Sequence, residues 1–395
     1  MFTAIFVLML AVALFYFLRK SQQHIQHDKK KEVVADVIAS KPISKASLLM
    51  LEDYFESQNT HGVFNGTFLI GRNDSIYLEK SYGYANYRGK TRITPNTAFQ
   101  LASVSKQFTA VAILILKEQG KIKLSDKVQK FFPDFPYPGI TIELLLTHRS
   151  GLPNYIYFCD NCMKDKSTPI TNSFMVRLMT RLKPPAYYPA DRTFNYSNTG
   201  YALLAAIVEK VSAQSFPDFV RKEIFLPLGM TNTCFGYPNL CDSIELATGY
   251  NRGWNEAAYS CIDGIYGDKG IHASARDMFK WDQGLYKGII VSPRTLDDAF
   301  LPKGKKIGSK KNYGYGWRMI NLEDNTLILY HTGWWEGFQT LLIRVPKDHT
   351  TIVVLKNRKA GIIDKAAILK ILYPASFKAS KQDKDNQTED EQEGG

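Results

Sequence analysis

The chain has 395 residues, with 50 Lys+Arg against 38 Asp+Glu and a formal net charge of +12. Its 45% hydrophobic and 22% charged residues are ordinary for a globular protein, which excludes wholesale disorder, a collagen and a disulfide-stapled miniprotein. The charge is uneven: residues 381–395 hold two Lys and six Asp/Glu, a local −4, leaving +16 on residues 1–380. That excess leaves an anionic partner open: nucleic acid, a membrane surface or a wall polymer.

Phe2 to Leu18 is an almost unbroken apolar run, closed by Arg19-Lys20. At ~1.5 Å per residue it would reach about 25 Å as a helix, near the lower limit for spanning a bilayer. Residues 1–20 read as an uncleaved membrane anchor. A cleaved signal peptide and a buried helix are the competing readings, but no basic residue precedes the run and Phe15-Tyr16-Phe17-Leu18 is a poor cleavage context. The basic residues that follow, Arg19, Lys20 and Lys29 to Lys31, argue by the positive-inside tendency for a cytoplasmic body. Residues 21–45 read as a solvated linker, 46–372 as the folded body and 373–395 as an acidic disordered tail.

Within the body, Ala46 to Gln58 patterns as an amphipathic helix. Val63 to Gly71 and Ser75 to Tyr82 pattern as two strands of a hairpin turning at 72–74. Residues 103–286 are mostly helical in pattern. Strand signals return at Thr326 to Tyr330, Phe338 to Val345 and Thr350 to Leu355, and Gly361 to Leu372 reads as a closing helix. Strands at both ends with a helical middle predict an α+β fold: an antiparallel sheet built from both chain ends, flanked by helices, with an inserted mostly helical lobe. The active site would lie where the lobes meet.

Three short patterns carry chemistry. Ser103 and Lys106 are spaced i to i+3, one above the other on a helix face. Serine is a weak nucleophile until a neighbour accepts its proton, and a lysine held in an apolar site can serve as that base. Tyr196-Ser197-Asn198 precedes a helical run; the tyrosine can relay a proton and the amide can bind a substrate carbonyl. His331-Thr332-Gly333 follows a strand, where backbone N–H groups can meet an oxyanion, glycine permits close approach and a side chain can hold a carboxylate. Taken singly, each has a bland reading: a surface pair, a buried tyrosine, a strand-end turn with a structural histidine.

In this order the three motifs resemble those of the penicillin-recognising serine hydrolases: class C β-lactamases, low-molecular-mass DD-peptidases and their esterase relatives. Further blocks carry the resemblance, among them Leu144 to Pro153, Gly267 to Asp277 and Ile352 to Asn357, so it spans about residues 46–372. It implies a β-lactamase/transpeptidase-like fold and a covalent acyl-enzyme on Ser103, with Lys106 and Tyr196 managing the proton. It further implies that Asn198, His331, Thr332, Gly333 and Trp334 contact the substrate, the N–H groups of Ser103 and Trp334 forming the oxyanion hole. His331 stands where most β-lactamases carry Lys, which looks more like a DD-peptidase or esterase. Trp334-Trp335 suggest an apolar or stacked substrate portion, or else packing between lobes. No metal or other cofactor is implied.

Cys159 and Cys162 could close a loop disulfide in an oxidising compartment or remain two inert thiols, and five cysteines leave at least one unpaired within the chain. The lysines from Lys303 to Lys311 read as a solvated hairpin, with a membrane or wall contact as the sharper alternative. No nucleic-acid-binding motif is present. The leading expectation is a membrane-anchored, extracytoplasmic serine hydrolase of the DD-peptidase or D-amino-acid peptidase kind, or a β-lactamase relative, acting on a small-molecule or peptidoglycan-like acyl substrate. A carboxylesterase of the same family, or a non-catalytic wall-binding or scaffolding protein, stands as the alternative.

Overall fold

The computed structural model describes residues 42–159, 168–236, 241, 243–258, 260–303 and 312–376. The anchor expected at 1–20, most of the linker, Cys162, Lys305 to Lys311 and the tail beyond Ser376 lie outside them. Among the described residues no helix is long and apolar enough to cross a membrane.

Ten helices are described: α1 (Lys45–Thr60), α2 (Lys106–Glu118), α3 (Ile142–Leu146), α4 (Tyr155–Cys159), α5 (Asn172–Leu182), α6 (Asn198–Ser212), α7 (Phe216–Val220), α8 (Ala275–Tyr286), α9 (Pro293–Ala299) and α10 (Lys365–Leu372). The strands are β1 (Gly66–Arg72), β2 (Ser75–Tyr82), β3 (Tyr84–Asn86), β4 (Thr91–Arg92), β5 (Phe99–Gln100), β6 (Thr233–Phe235), β7 (Ile271–Ala273), β8 (Asn312–Tyr313), β9 (Arg318–Asn321), β10 (Leu327–Trp335), β11 (Phe338–Val345) and β12 (Thr350–Lys356). Seven form one antiparallel sheet in the order β2-β1-β12-β11-β10-β9-β8, so the two chain ends meet at the β1–β12 pair as expected. Asn73 and Asp74 both have positive φ, which gives the hairpin between β1 and β2 the twist its strands need.

Alternation along the strands sorts the two faces of the sheet. Phe68, Ile70, Ile352 and Val354 pack outward with Leu51 and Phe55 of α1 and Ile368 and Leu369 of α10. Leu69, Val353 and Leu355 join the larger core on the other face, under α2 and α8. With both faces covered, β1, β11 and β12 are buried along their whole lengths. Helix α2 is buried from Lys106 through Leu116, because it runs through the middle of the molecule between sheet and helical lobe. Phe108 stacks on Trp281 of α8 with ring centroids 4.1 Å apart.

A small second sheet, β5-β7-β6, leads the chain into the turn that holds Ser103. Leu101 N–H donates to Ile271 C=O at 2.8 Å, and Thr340 of β11 donates its hydroxyl to Leu101 C=O at 2.7 Å. Cys234 and Cys241 form a disulfide beside β6, a pairing that counting cysteines could not single out.

Candidate active site

Ser103 sits in a 3-10 turn, Ala102–Ser105, and α2 begins at Lys106. The sequence reading placed both residues in one helix; the tighter turn keeps their i to i+3 relation. Ala102 has φ 48°, a left-handed conformation that costs a non-glycine residue about 1–3 kcal/mol. The clamps from β7 and β11 on Leu101 hold the turn in that conformation.

Lys106 is fully buried. Its Nζ donates to Ser103 Oγ at 2.9 Å, to Asn198 Oδ1 at 2.8 Å and to the Asp268 carbonyl at 3.0 Å. These three acceptors carry no charge, and they hold Nζ between the Ser103 hydroxyl and the Asn198 side-chain amide. The Tyr196 ring lies 4.8 Å from the same Nζ. Ser197 caps α6, its Oγ accepting from Gly200 N–H at 3.1 Å, which fixes Asn198 as the first helical residue.

Strand β10 does not end at Tyr330, as its apolar pattern implied, but runs on to Trp335. Its pairing with β9 stops at Tyr330, whereas its pairing with β11 continues to Trp335. The stretch from His331 to Trp335 thus presents one strand edge unpaired by β9. A Cβ on Gly333 would collide with the Leu101 carbonyl and the Thr340 hydroxyl and crowd Ala102, so only glycine lets this edge lie against the Ser103 turn.

His331 is buried, and both ring nitrogens are engaged. Nδ1 lies 2.6 Å from the Thr332 carbonyl, which can only accept, so Nδ1 carries the proton; Nε2 then accepts from Tyr313 Oη at 3.1 Å. Burial, reinforced by Arg318 and Lys106, holds its pKa well below the ordinary histidine range, so the ring is neutral. Thr332 is half-buried on the same strand. The two tryptophans separate. Trp335 turns into the lobe interface, donating Nε1–H to Asp263 Oδ1 at 2.8 Å, while the Trp334 ring lies 4.0 Å from Lys359 Nζ. They are not a paired aromatic mouth.

Next to Trp335, Glu336 is pushed up to about 8 by burial and by the adjoining Asp263 carboxylate. Its folded value exceeds the ordinary 4.5, so its stabilising effect is complete below about pH 4.5 and is lost as pH rises through about 8. Glu336→Gln keeps the neutral form. The melting temperature of the variant relative to the wild type should therefore rise between pH 5 and pH 8.5; a difference independent of pH would contradict the assignment.

Four site residues had no signal of their own in the sequence reading. Asp268 contributes only its carbonyl. Tyr313 and Arg318 arrive on the short strands β8 and β9, and Arg318 Cζ stands 5.2 Å from the centre of the Tyr196 ring. His148 packs its ring 4.3 Å from that of Tyr196; it lies in the Leu144 to Pro153 block, but nothing in the block set it apart.

Among known protein families, the one described as Beta-lactamase matches residues 50–371. The chain belongs to the β-lactamase family. It is 35% identical over 335 residues to "Penicillin-binding protein 4*" of Bacillus subtilis (strain 168), covering 81% of this chain and 74% of that one. It is 32% identical over 262 residues to "Putative penicillin-binding protein PbpX" of the same organism, covering 64% of this chain and 61% of that one, so it spans less than two thirds of that relative. Among solved structures it is similar to a penicillin-binding protein from Bacillus halodurans, with TM-score 0.71 and 25% identity over 81% of this chain and 99% of that chain. The α+β architecture is thus that of the β-lactamase family, a family of serine hydrolases whose members include penicillin-binding proteins.

Proposed function

We propose that Ser103 is the nucleophile of an acyl-serine hydrolase that cleaves peptide-like donors carrying a carboxylate on the leaving side, as a DD-peptidase does. The observation that carries this reading is the placement of Lys106 Nζ between Ser103 Oγ and Asn198 Oδ1. In this mechanism the Lys106 ammonium first releases a proton to solvent, its hydrogen bond with Ser103 reverses, and the neutral amine takes the Ser103 proton as Oγ bonds to the carbonyl carbon. The N–H groups of Ser103 and Trp334, on the turn and on the β10 edge, face the oxyanion. Collapse breaks the bond to the leaving group, which takes its proton through Tyr196, and water then hydrolyses the ester. Asn198 holds the substrate amide, while Thr332 and Gly333 border the channel.

Arg318 is the proposed carboxylate partner. His331 is neutral and bonded to Tyr313 and Thr332, so its role is to support β10, and a permanent cation nearby among the described residues is the guanidinium beside Tyr196. The names of the Bacillus subtilis relatives favour a penicillin-reactive peptidase over a plain esterase. We further propose that residues 46–372 are the catalytic domain and that residues 1–20 anchor it with the body outside the cytoplasm, where wall substrates lie; protease accessibility in spheroplasts reports that side.

Incubation with a penicillin should add one acyl mass, mapping to the peptide that contains Ser103. Arg318→Met should raise KM for a D-Ala-D-Ala peptide by about 10- to 100-fold, the worth of one charge-assisted hydrogen bond, and leave an uncharged aryl ester unaffected. No acylation by any donor, or equal losses on both substrates, would overturn the reading.

A further inference from the structure

We infer that His148 is a positioning residue for Tyr196. This rests on the proposed role of Tyr196 and adds a residue that the three motifs do not contain.

Three contacts from one residue converge on the Tyr196 loop. His148 Nδ1 accepts the Ser197 N–H at 3.0 Å, the His148 carbonyl accepts the Asn195 N–H at 2.8 Å, and the ring packs on Tyr196 from 4.3 Å. The residues bonded lie on either side of Tyr196, so the loop is gripped around the side chain that moves the proton. The backbone at His148 is itself left-handed, with φ 56°, a conformation tolerated where the surrounding contacts demand it.

Neighbouring contacts tie the rest of this segment down independently. Arg149 pairs with Asp191 at 2.7 Å, Thr199 Oγ1 donates to the Pro153 carbonyl at 2.6 Å, and Tyr201 Oη donates to the Leu146 carbonyl at 2.8 Å. The segment would stay in place without the imidazole. What the imidazole adds is local: an acceptor for Ser197 and a flat wall for Tyr196.

The ring is fully buried among Tyr196, Tyr201, Phe194 and Tyr313. Burial, with the Lys106 and Arg318 cations nearby, holds it well below the ordinary histidine pKa. A neutral ring can accept at Nδ1, whereas an imidazolium could not and would lose the Ser197 bond. With Nδ1 accepting, the ring proton is on Nε2. Neutrality also keeps a second cation away from the Lys106 amine at the moment that amine must take a proton.

The test uses the full chain and the acylation rate with a penicillin, read by intact mass over time at several concentrations. His148→Leu removes the acceptor and the flat ring; His148→Asn returns an acceptor near the Nδ1 position and tolerates the left-handed backbone. His148→Leu should acylate about 100-fold more slowly at saturation with its half-saturating concentration unchanged, the cost of a misplaced catalytic group. His148→Asn should recover to within about tenfold of wild type, since the acceptor is restored. In a Tyr196→Phe background, His148→Leu should cost no more than about twofold, because residues that act through one another are not additive. Equal losses in both backgrounds, no rescue by Asn, or a wild-type rate for His148→Leu would overturn the inference. Should His148→Leu not fold, by circular dichroism, His148→Ala, which also removes the acceptor and the ring, compared in the two backgrounds decides the same question: a loss confined to the Tyr196 background supports the inference, and an equal loss or none in either background overturns it. Wild-type rates for Ser103→Ala and Tyr196→Phe would instead refute the proposed mechanism itself.

Discussion

Lys106→Met should lower the acylation rate by about 10³-fold, the range that a positioned general base contributes. Methionine is unbranched, one atom shorter than lysine and at ease in a buried site, but it accepts no proton from Ser103. The amine now donates to Ser103 Oγ, Asn198 Oδ1 and the Asp268 carbonyl. Without it, the buried Asp268 carbonyl and Asn198 amide oxygen lose a donor at about 1–3 kcal/mol each, while removal of a buried charge offsets part of that cost. The protein should therefore stay folded and slow, and stopped-flow or timed intact-mass measurement with a penicillin should show the adduct forming far more slowly. Acylation within tenfold of wild type would mean that another group takes the serine proton.

This geometry also shows how far local sequence carries the site. The i to i+3 spacing brings Ser103 and Lys106 together whether the turn is 3-10 or α, so that pair was legible. Tyr196 and Asn198 were legible through the helix that follows them, since a capped α6 fixes where Asn198 points. The sheet was legible in its covered strands, where apolar runs are long. Strand β10 was cut short at Tyr330 because the pattern loses its apolar rhythm at Thr332 and Gly333, yet pairing to β11 alone carries the strand to Trp335.

What could not be read were properties set by the other end of a contact. The neutral state of His331 depends on Tyr313, eighteen residues away in sequence, and on burial between lobes. Arg318 reaches the site through the pairing of β9 with β10, in which it lies opposite Tyr330. Trp335 is open to reading as a substrate contact or as packing between lobes until Asp263 supplies its hydrogen-bond partner. The hidden residues are those whose role comes from tertiary pairing; the legible ones are placed by a turn or a helix cap within a few residues.

Gly333→Val is the second change with a large expected effect, and it tests the joint between sheet and lobe. A strand edge can offer an N–H to an oxyanion on Ser103 only if it lies within hydrogen-bond reach of the carbon under attack, about 3 Å from donor to oxygen. That approach fills the space where a side chain on residue 333 would stand: the Leu101 carbonyl, Ala102 and the Thr340 hydroxyl are already there. Valine favours strands, so β10 itself should persist. The relief must come either from β10 moving away from the turn or from Ala102 leaving its left-handed conformation. Either displaces the Trp334 N–H relative to Ser103, and loss of one oxyanion donor costs about 10²–10³-fold. kcat/KM for a D-Ala-D-Ala peptide and for an aryl ester should fall together, because both substrates pass through the same oxyanion. The Arg318 variant, in contrast, should separate them. A Gly333→Val enzyme that retains ester turnover while losing only the peptide would show that the β10 edge serves recognition and not the oxyanion.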